Sequence, residues 1–240
     1  MLTRINNLLK LVNCRLIGNG SYHKLLAERA EKDAFAFQQR LYPNPEIIFD
    51  VGANRGQSIA IYRKMYPAAV LHCFEPQPQL ADQLCGLDDP HVYVNQQALS
   101  DRQGSTAFFL KQSDGAASTL KSVEIGASSD RSVRDTEKIE VQTETLDAYC
   151  GKHNIEKIDI LKMDVQGGEY ALLQGAQQML KEKRIGLIYA ESYFKQQYAD
   201  QPLFPQLVEL LNTHDYFVQD IYNCYYSEKH LLWCDFVALP

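Results

Sequence analysis

Ile47-Ile48-Phe49-Asp50-Val51-Gly52-Ala53-Asn54-Arg55-Gly56 is the stretch on which the reading of this chain turns. Ile47 to Val51 is an apolar run carrying one acid near its end, the pattern of a strand buried on both faces. Gly52 and Gly56 then let the backbone turn sharply and pass close to a ligand. Gln57–Met65 reads as a helix, and the free N–H groups at its start, around Gln57 and Ser58, stabilise a carboxylate or phosphate. In open α/β sheets ligands bind just outside the carboxyl ends of the strands, where this loop belongs. Asp50, Gly52, Ala53, Asn54, Gly56, Gln57 and Ser58 are therefore candidate ligand-binding residues. Gly52→Val is expected to abolish binding in a protein that still folds.

Downstream, Val70–Phe74 repeats the buried-strand pattern and ends in Glu75-Pro76. An acid there can accept hydrogen bonds from both hydroxyls of a ribose, so glycine loop and acid together point to an adenosine-type ligand. The alternative for Glu75 is an exposed strand-end acid. A third strand starts at Val92, and Asn95–Asp101 should reach the same crevice. Either the backbone near Ala98 and Leu99 edges the adenine, or Ser100 and Asp101 only form a turn. The glycine spacing, G-x-x-x-G, is not the G-x-G-x-x-G of dinucleotide binders, and no Gly-Lys-Ser/Thr follows, which excludes a P-loop.

The remaining chain alternates strand and helix, which implies a doubly wound α/β fold: a mostly parallel, seven-stranded sheet with helices on both faces. Thr106–Leu110 and Ile139–Thr143 read as strands, as do Ile158–Asp164, Arg184–Ala190, Tyr216–Ile221 and Asp235–Leu239. Gly168–Lys183 and Leu203–Thr213 read as helices. Tyr222–Trp233 lacks helical periodicity and fits a hairpin loop, so the last strand is expected to be antiparallel. Residues 112–136 are rich in Ser, Asp and Gly, which suits either an active-site cover or a solvated loop. Residues 1–44 form a helical extension closed by Pro43, with 45–240 as the ligand-binding domain.

Composition limits the functional classes. The 240 residues are 45% hydrophobic and 22% charged, enough apolar material for one sizeable core. A net charge of −6 with no basic stripe argues against nucleic acid as partner. Arg4, Lys10, Arg15 and Lys24 lie among apolar residues in a helix that either packs on the domain or makes weak membrane-surface contact. The chain has no run of roughly 18 apolar residues that could span a membrane. Asn6, Asn7 and Lys10 interrupt any signal-peptide core. The six cysteines include no C-x-x-C pair and no zinc spacing, and read as reduced thiols of a cytoplasmic protein.

The D-x-G-x-x-x-G loop looks like motif I of the class I methyltransferases, and a narrower resemblance follows from the rest. Phe49–Gly56, Phe74-Glu75-Pro76, Ala98-Leu99-Ser100-Asp101, Ala117-Ser118-Thr119-Leu120, Thr145-Leu146-Asp147 and Leu161-Lys162-Met163-Asp164-Val165-Gln166-Gly167 resemble, in order and spacing, the FkbM family of methyltransferases. One departure is Gln166-Gly167-Gly168-Glu169, where Glu-Gly-x-Glu is more usual, so no role is assigned to position 166. The resemblance covers roughly residues 47–190. It implies use of S-adenosyl-L-methionine, which leaves as S-adenosyl-L-homocysteine, and O-methylation of a sugar, glycan or secondary-metabolite hydroxyl.

An alcohol acceptor must lose a proton, so a base at a strand end facing the crevice is expected. Asp164 is one candidate and is also placed to touch the cofactor. Glu191 is another. Glu169 is a third, although an acid there could equally be a charge at the start of a helix. Tyr189, Tyr193, Phe194, Tyr222, Tyr225, Tyr226 and Trp233 could form a platform for a sugar, or simply be core and loop aromatics. No metal site is expected, since Asp159 and Asp164 fall on opposite strand faces. Two further readings remain: a non-catalytic nucleoside-binding module of the same fold, and an NAD-dependent oxidoreductase, which the glycine spacing disfavours.

Overall fold

The computed structural model describes residues 33–111, 117–122, 135–227 and 230–240. The N-terminal segment with its basic residues, and most of 112–136, lie outside the described residues. The main sheet contains β1 (Ile47–Val51), β2 (Val70–Phe74), β3 (Val92–Asn95), β8 (Ile158–Met163), β9 (Ile185–Tyr193), β10 (Phe217–Ser227) and β11 (His230–Leu239). Their spatial order is β10-β11-β9-β8-β1-β2-β3. β1 is an interior strand, next to the middle one, and pairs in parallel with β2 on one side and β8 on the other. The expected antiparallel last strand is β11, which sits inside the sheet between β9 and β10.

Strand alternation sorts side chains to two faces. Ile48, Leu71, Ile160 and Leu187 pack with α1 (Ala34–Leu41) and α2 (Gln57–Met65), through Phe37, Ile59 and Tyr62. Phe49, Val51, Leu161, Met163 and Ile188 face α4 (Leu146–His153), α5 (Glu169–Gln174), α6 (Gln177–Lys181) and α7 (Phe204–Thr213). α3 (Pro78–Cys85) joins the α2 side through Leu84. Nearly every β1 and β8 residue is buried, as strands covered on both faces must be.

Three local expectations need correction. Thr106–Leu110 and Ile139–Thr143 are strands, but as β5 (Gly104–Lys111) and β7 (Asp135–Glu144) they leave the main sheet. With β4 (Ala98–Leu99) and β6 (Ala117–Ser118) they form a separate sheet ordered β4-β7-β5-β6. The single helix expected over Gly168–Lys183 is two short ones, the first capped by Gly175, where a Cβ would stand 2.0 Å from the Ser100 carbonyl oxygen. Within the helical extension, the described residues carry a helix from Ala34 to Leu41, with Asp33 accepting the Phe35 N–H as its N-cap. Finally, Tyr222–Trp233 is mostly paired strand rather than loop.

Candidate active site

The glycine loop is fixed by backbone bonds before any ligand is considered. Gly52 and Ala53 both donate to the Phe74 carbonyl, at 2.9 and 3.1 Å. Gly52 has φ +78°, and a Cβ on it would lie 1.9 Å from the Asp164 carbonyl oxygen. Gly56, at φ +83°, caps α2 and would press a Cβ to 2.9 Å from Leu84. Glycine is thus required at both positions by the protein itself.

Behind the loop, Asp50 is fully buried, accepts a 2.5 Å hydrogen bond from the Ser58 hydroxyl and pairs with Lys162 Nζ at 2.9 Å. Burial works against the Lys162 charge, but Asp50, with help from Asp164, outweighs it and holds the ammonium above its usual range. Lys162 also donates to the Gly52 carbonyl at 3.2 Å, tying β8 to the loop.

In front of the loop lies a crevice with about 840 Å³ of empty space, its open mouth included. Gly52, Asn54, Glu75, Pro76, Ala98, Leu99 and Asp164 line it. Asp50, Ala53, Gly56, Gln57 and Ser58, also assigned to ligand binding from sequence, do not: four are buried behind the loop and Gln57 points to solvent. These residues shape the loop rather than face the crevice.

Glu75 is 5% exposed. Its Oε2 accepts the Asn54 N–H at 2.8 Å and its Oε1 the Gln77 N–H at 2.9 Å. Burial raises its carboxyl, and the two amides pull it back only in part. Each oxygen keeps a second lone pair, so the carboxylate can still accept two ribose hydroxyls.

The opposite wall includes Ala117 and Thr119 of the stretch 112–136, for which an active-site cover was one of two readings, but its build as a second sheet was not read from the sequence. Phe108 of β5, Ala117 of β6 and Thr119 bring the second sheet over the crevice. The segment 117–122 is clasped in place. Lys111 Nζ, buried, pairs with Asp135 at 2.6 Å and donates to Leu120 O and Ser122 Oγ. Ser118 Oγ donates to the Gln166 carbonyl at 2.6 Å. The motif Ala117–Leu120 was the available signal, but only the fold shows that it closes this wall.

Of the three candidate bases, Asp164 lines the crevice, with its side chain 45% exposed. Glu191 lies within β9 rather than closing it, behind Gln166. Burial first, then the Asp164 charge, push its carboxyl well up. Glu169 is 2% exposed and turned into its own loop, where Oε1 accepts the Val165 N–H at 3.0 Å; burial pushes it up to about 7. Gln166, left without a role from sequence, lines the crevice and bonds both Asp164 and Glu191.

The aromatics divide. Tyr189, Tyr193 and Tyr222 are buried, and Phe194 stacks on Phe204. On the hairpin, Tyr225 stacks on Trp233 at 5.3 Å, and Tyr225 and Tyr226 are exposed. Cys73, Cys85, Cys150, Cys224 and Cys234 are free thiols. Asp159 is at the far end of β8, accepting the Glu46 and Ile47 N–H groups. No helix among the described residues is long and apolar enough to cross a membrane.

Residues 50–218 match the family model of the methyltransferase FkbM domain. Over 172 residues the chain is 32% identical to the 2-O-methyltransferase NoeI of Sinorhizobium fredii, an alignment covering 68% of this chain and 66% of that protein, just under two thirds of its length. It is 25% identical over 169 residues to Methyltransferase 1 of Beauveria bassiana, covering 63% of this chain and 68% of the relative. In fold it is similar to a putative rRNA-methylase from Clostridium thermocellum, with TM-score 0.50, 8% identity and coverage of 88% and 96% of the two chains. The family match extends past β9 into β10, beyond the motifs legible in the sequence. By that match the chain belongs to the FkbM methyltransferase family.

Proposed function

We propose that the protein transfers a methyl group from S-adenosyl-L-methionine to a hydroxyl of a sugar, glycan or secondary-metabolite acceptor. One observation carries this: Glu75, with a lone pair free on each oxygen, and Asp164, half exposed, line the same crevice on either side of the Gly52 turn. Family membership and the 2-O-methyltransferase relative support oxygen as the atom methylated.

The residues present fit the cofactor. Glu75 would hold the ribose, Ala98 and Leu99 would edge the adenine, and the turn at Gly52 to Asn54 keeps side-chain bulk out of the crevice. Bound there, S-adenosyl-L-methionine supplies a methyl group already activated on a positively charged sulfur. Alignment in an enclosed crevice can then provide up to about 7–11 kcal/mol. Asp164 accepts the proton that the acceptor hydroxyl loses, typically worth about 10²–10⁴-fold. Glu191, behind Gln166, and Glu169, held by Val165, support Asp164 rather than meet the acceptor. Free thiols are consistent with a reducing, cytoplasmic setting.

Calorimetric titration with S-adenosyl-L-methionine, S-adenosyl-L-homocysteine and NAD tests the cofactor. Micromolar binding of the first two and none of NAD is expected, and the reverse overturns the proposal. A screen of glycans and hydroxylated metabolites with a labelled methyl donor then identifies the acceptor by its mass shift.

A further inference from the structure

The hairpin of β10 and β11 carries an aromatic stack at the crevice end of the sheet. β11 runs antiparallel to β9, so its start and the end of β10 stand at the carboxyl edge of the parallel strands, where the glycine loop lies. There Tyr225 and Trp233 pair directly across the two strands, with ring centroids 5.3 Å apart and planes 13° from parallel. Tyr225 is half exposed, and Asn223–Ser227 around it are all exposed.

Strand register relates this stack to the proposed base. Asp164 follows Met163, which pairs with Ala190, so Asp164 is level with Glu191, and Glu191 pairs with Asp235. Trp233 is two residues from Asp235 along β11 and shares its face of the sheet by alternation. With strands about 4.8 Å apart and a rise of about 3.4 Å per residue, Trp233 lies roughly 12 Å from Asp164. A single sugar ring does not bridge that span, whereas a short oligosaccharide does.

β10 is shaped to make the stack. Its register shifts between Tyr222 and Tyr225, where Asn223 takes φ +48°. Bulges of this kind re-aim side chains. Asn223 Nδ2 reaches Asp235 Oδ2 at 2.7 Å, and Tyr225 turns onto Trp233. The Tyr189 hydroxyl donates to the same oxygen at 2.7 Å, which leaves Asp235 Oδ1 to accept from a ligand hydroxyl.

We propose that the Tyr225–Trp233 stack, with Asp235 and Asn223 at its foot, binds a further saccharide ring of the acceptor, so that the sugar methylated is one unit of an uncharged oligosaccharide. This rests on methyl transfer beside Asp164, as proposed above. A sugar ring presents C–H groups on its faces and hydroxyls on its rim. The electron-rich face of an aromatic ring takes the first, and a carboxylate and an amide take the second. The carboxylates of Asp164 and Asp235 along the path oppose an anionic acceptor.

Trp233 is the chain's single tryptophan, so its fluorescence reads the subsite directly, with neither donor nor turnover. Wild type, Tyr225→Ser and Trp233→Leu are compared, with circular dichroism to verify folding and sedimentation to read the oligomeric state. Uncharged mono- to pentasaccharides of glucose, mannose and N-acetylglucosamine form the titration panel, joined by the acceptor found by the screen. A saturable change in Trp233 fluorescence is expected with oligosaccharides and not with monosaccharides, its affinity weakened about tenfold in Tyr225→Ser. Both variants should raise KM for an oligosaccharide acceptor by about tenfold, with a smaller loss in kcat, and should bind S-adenosyl-L-homocysteine as wild type does. No fluorescence response to any saccharide, an unchanged KM in both variants, or an acceptor without a second sugar ring overturns the proposal. So does a wild-type dimer that Tyr225→Ser separates, which would assign the stack to a second copy of the chain. If Trp233→Leu does not fold, Tyr225→Ser, changed at a half-exposed position, decides alone. Should wild type bind no S-adenosyl-L-methionine, the proposed function fails, while the fluorescence titration still judges the subsite.

Discussion

The carbonyl oxygen of Asp164 stands 1.9 Å from the place a β-carbon on Gly52 would occupy, so the turns after β1 and β8 touch backbone to backbone. A side chain at Gly52 must push β8 aside before it reaches any ligand. The expectation that Gly52→Val spares folding therefore needs correction. Even Gly52→Ala, at φ +78°, should cost about 3 kcal/mol or more. For a chain this size, that lowers Tm by roughly 6–12 °C. Thermal unfolding checks it, and a variant melting with wild type would mean the contact yields easily.

Glu75 offers a cleaner probe of the cofactor. Glu75→Gln keeps the shape but removes charge and turns one acceptor into a donor facing the Asn54 or Gln77 amide. Hydrogen bonds to a charged group are worth roughly 1.5–3 kcal/mol each. Calorimetry should show S-adenosyl-L-homocysteine binding weakened by at least about tenfold. Wild-type affinity would remove Glu75 from the ribose site.

Asp164→Asn separates chemistry from binding. The amide keeps the volume and a hydrogen bond to Gln166 but cannot take up the acceptor's proton. Turnover should fall by about 10²–10⁴-fold, while S-adenosyl-L-homocysteine still binds. Full turnover would assign the proton to another group.

Glu169 governs how stability responds to pH. Burial raises its carboxyl from 4.5 to about 7, so across that interval the folded chain binds more protons than the unfolded one. Its contribution is most favourable below about 4.5 and is lost as pH climbs to about 7. Glu191 shifts in the same direction. Glu169→Gln removes one of these losses and should gain on wild type by roughly 2–3 kcal/mol between pH 5 and 8. Urea unfolding at both pH values measures this, and parallel pH curves for the two proteins would refute it.

Much of the fold could be read from the chain because the central strands carry one unambiguous signal. Ile47–Val51 and Ile158–Met163 are nearly continuous apolar runs, and only strands covered on both faces need them. Glu75 was legible as well, because its place at a strand end follows from local pattern. What escaped depends on partners far along the chain. The clash that makes Gly52 obligatory comes from Asp164, and the group that leaves no room for a side chain at Gly175 is the Ser100 carbonyl. Gln166 meets Glu191 and Tyr198 only once β9 and the segment after it are folded against the loop. The outer half of the hairpin hid for a different reason: Asn223–Ser227 are all exposed, so no alternation marks them as strand.

The placement of β11 between β9 and β10 bears on how the chain assembles during synthesis. Among the described residues β10 bonds only to β11, and β9 along Ile188–Tyr193 meets β11 on one side. A nascent polypeptide stalled ahead of His230 would therefore carry two naked ribbons, one of them beside Glu191. Such edges invite pairing with other chains. Emergence of β11, rather than formation of the glycine loop, is the event that covers the β9 edge and gives β10 its partner.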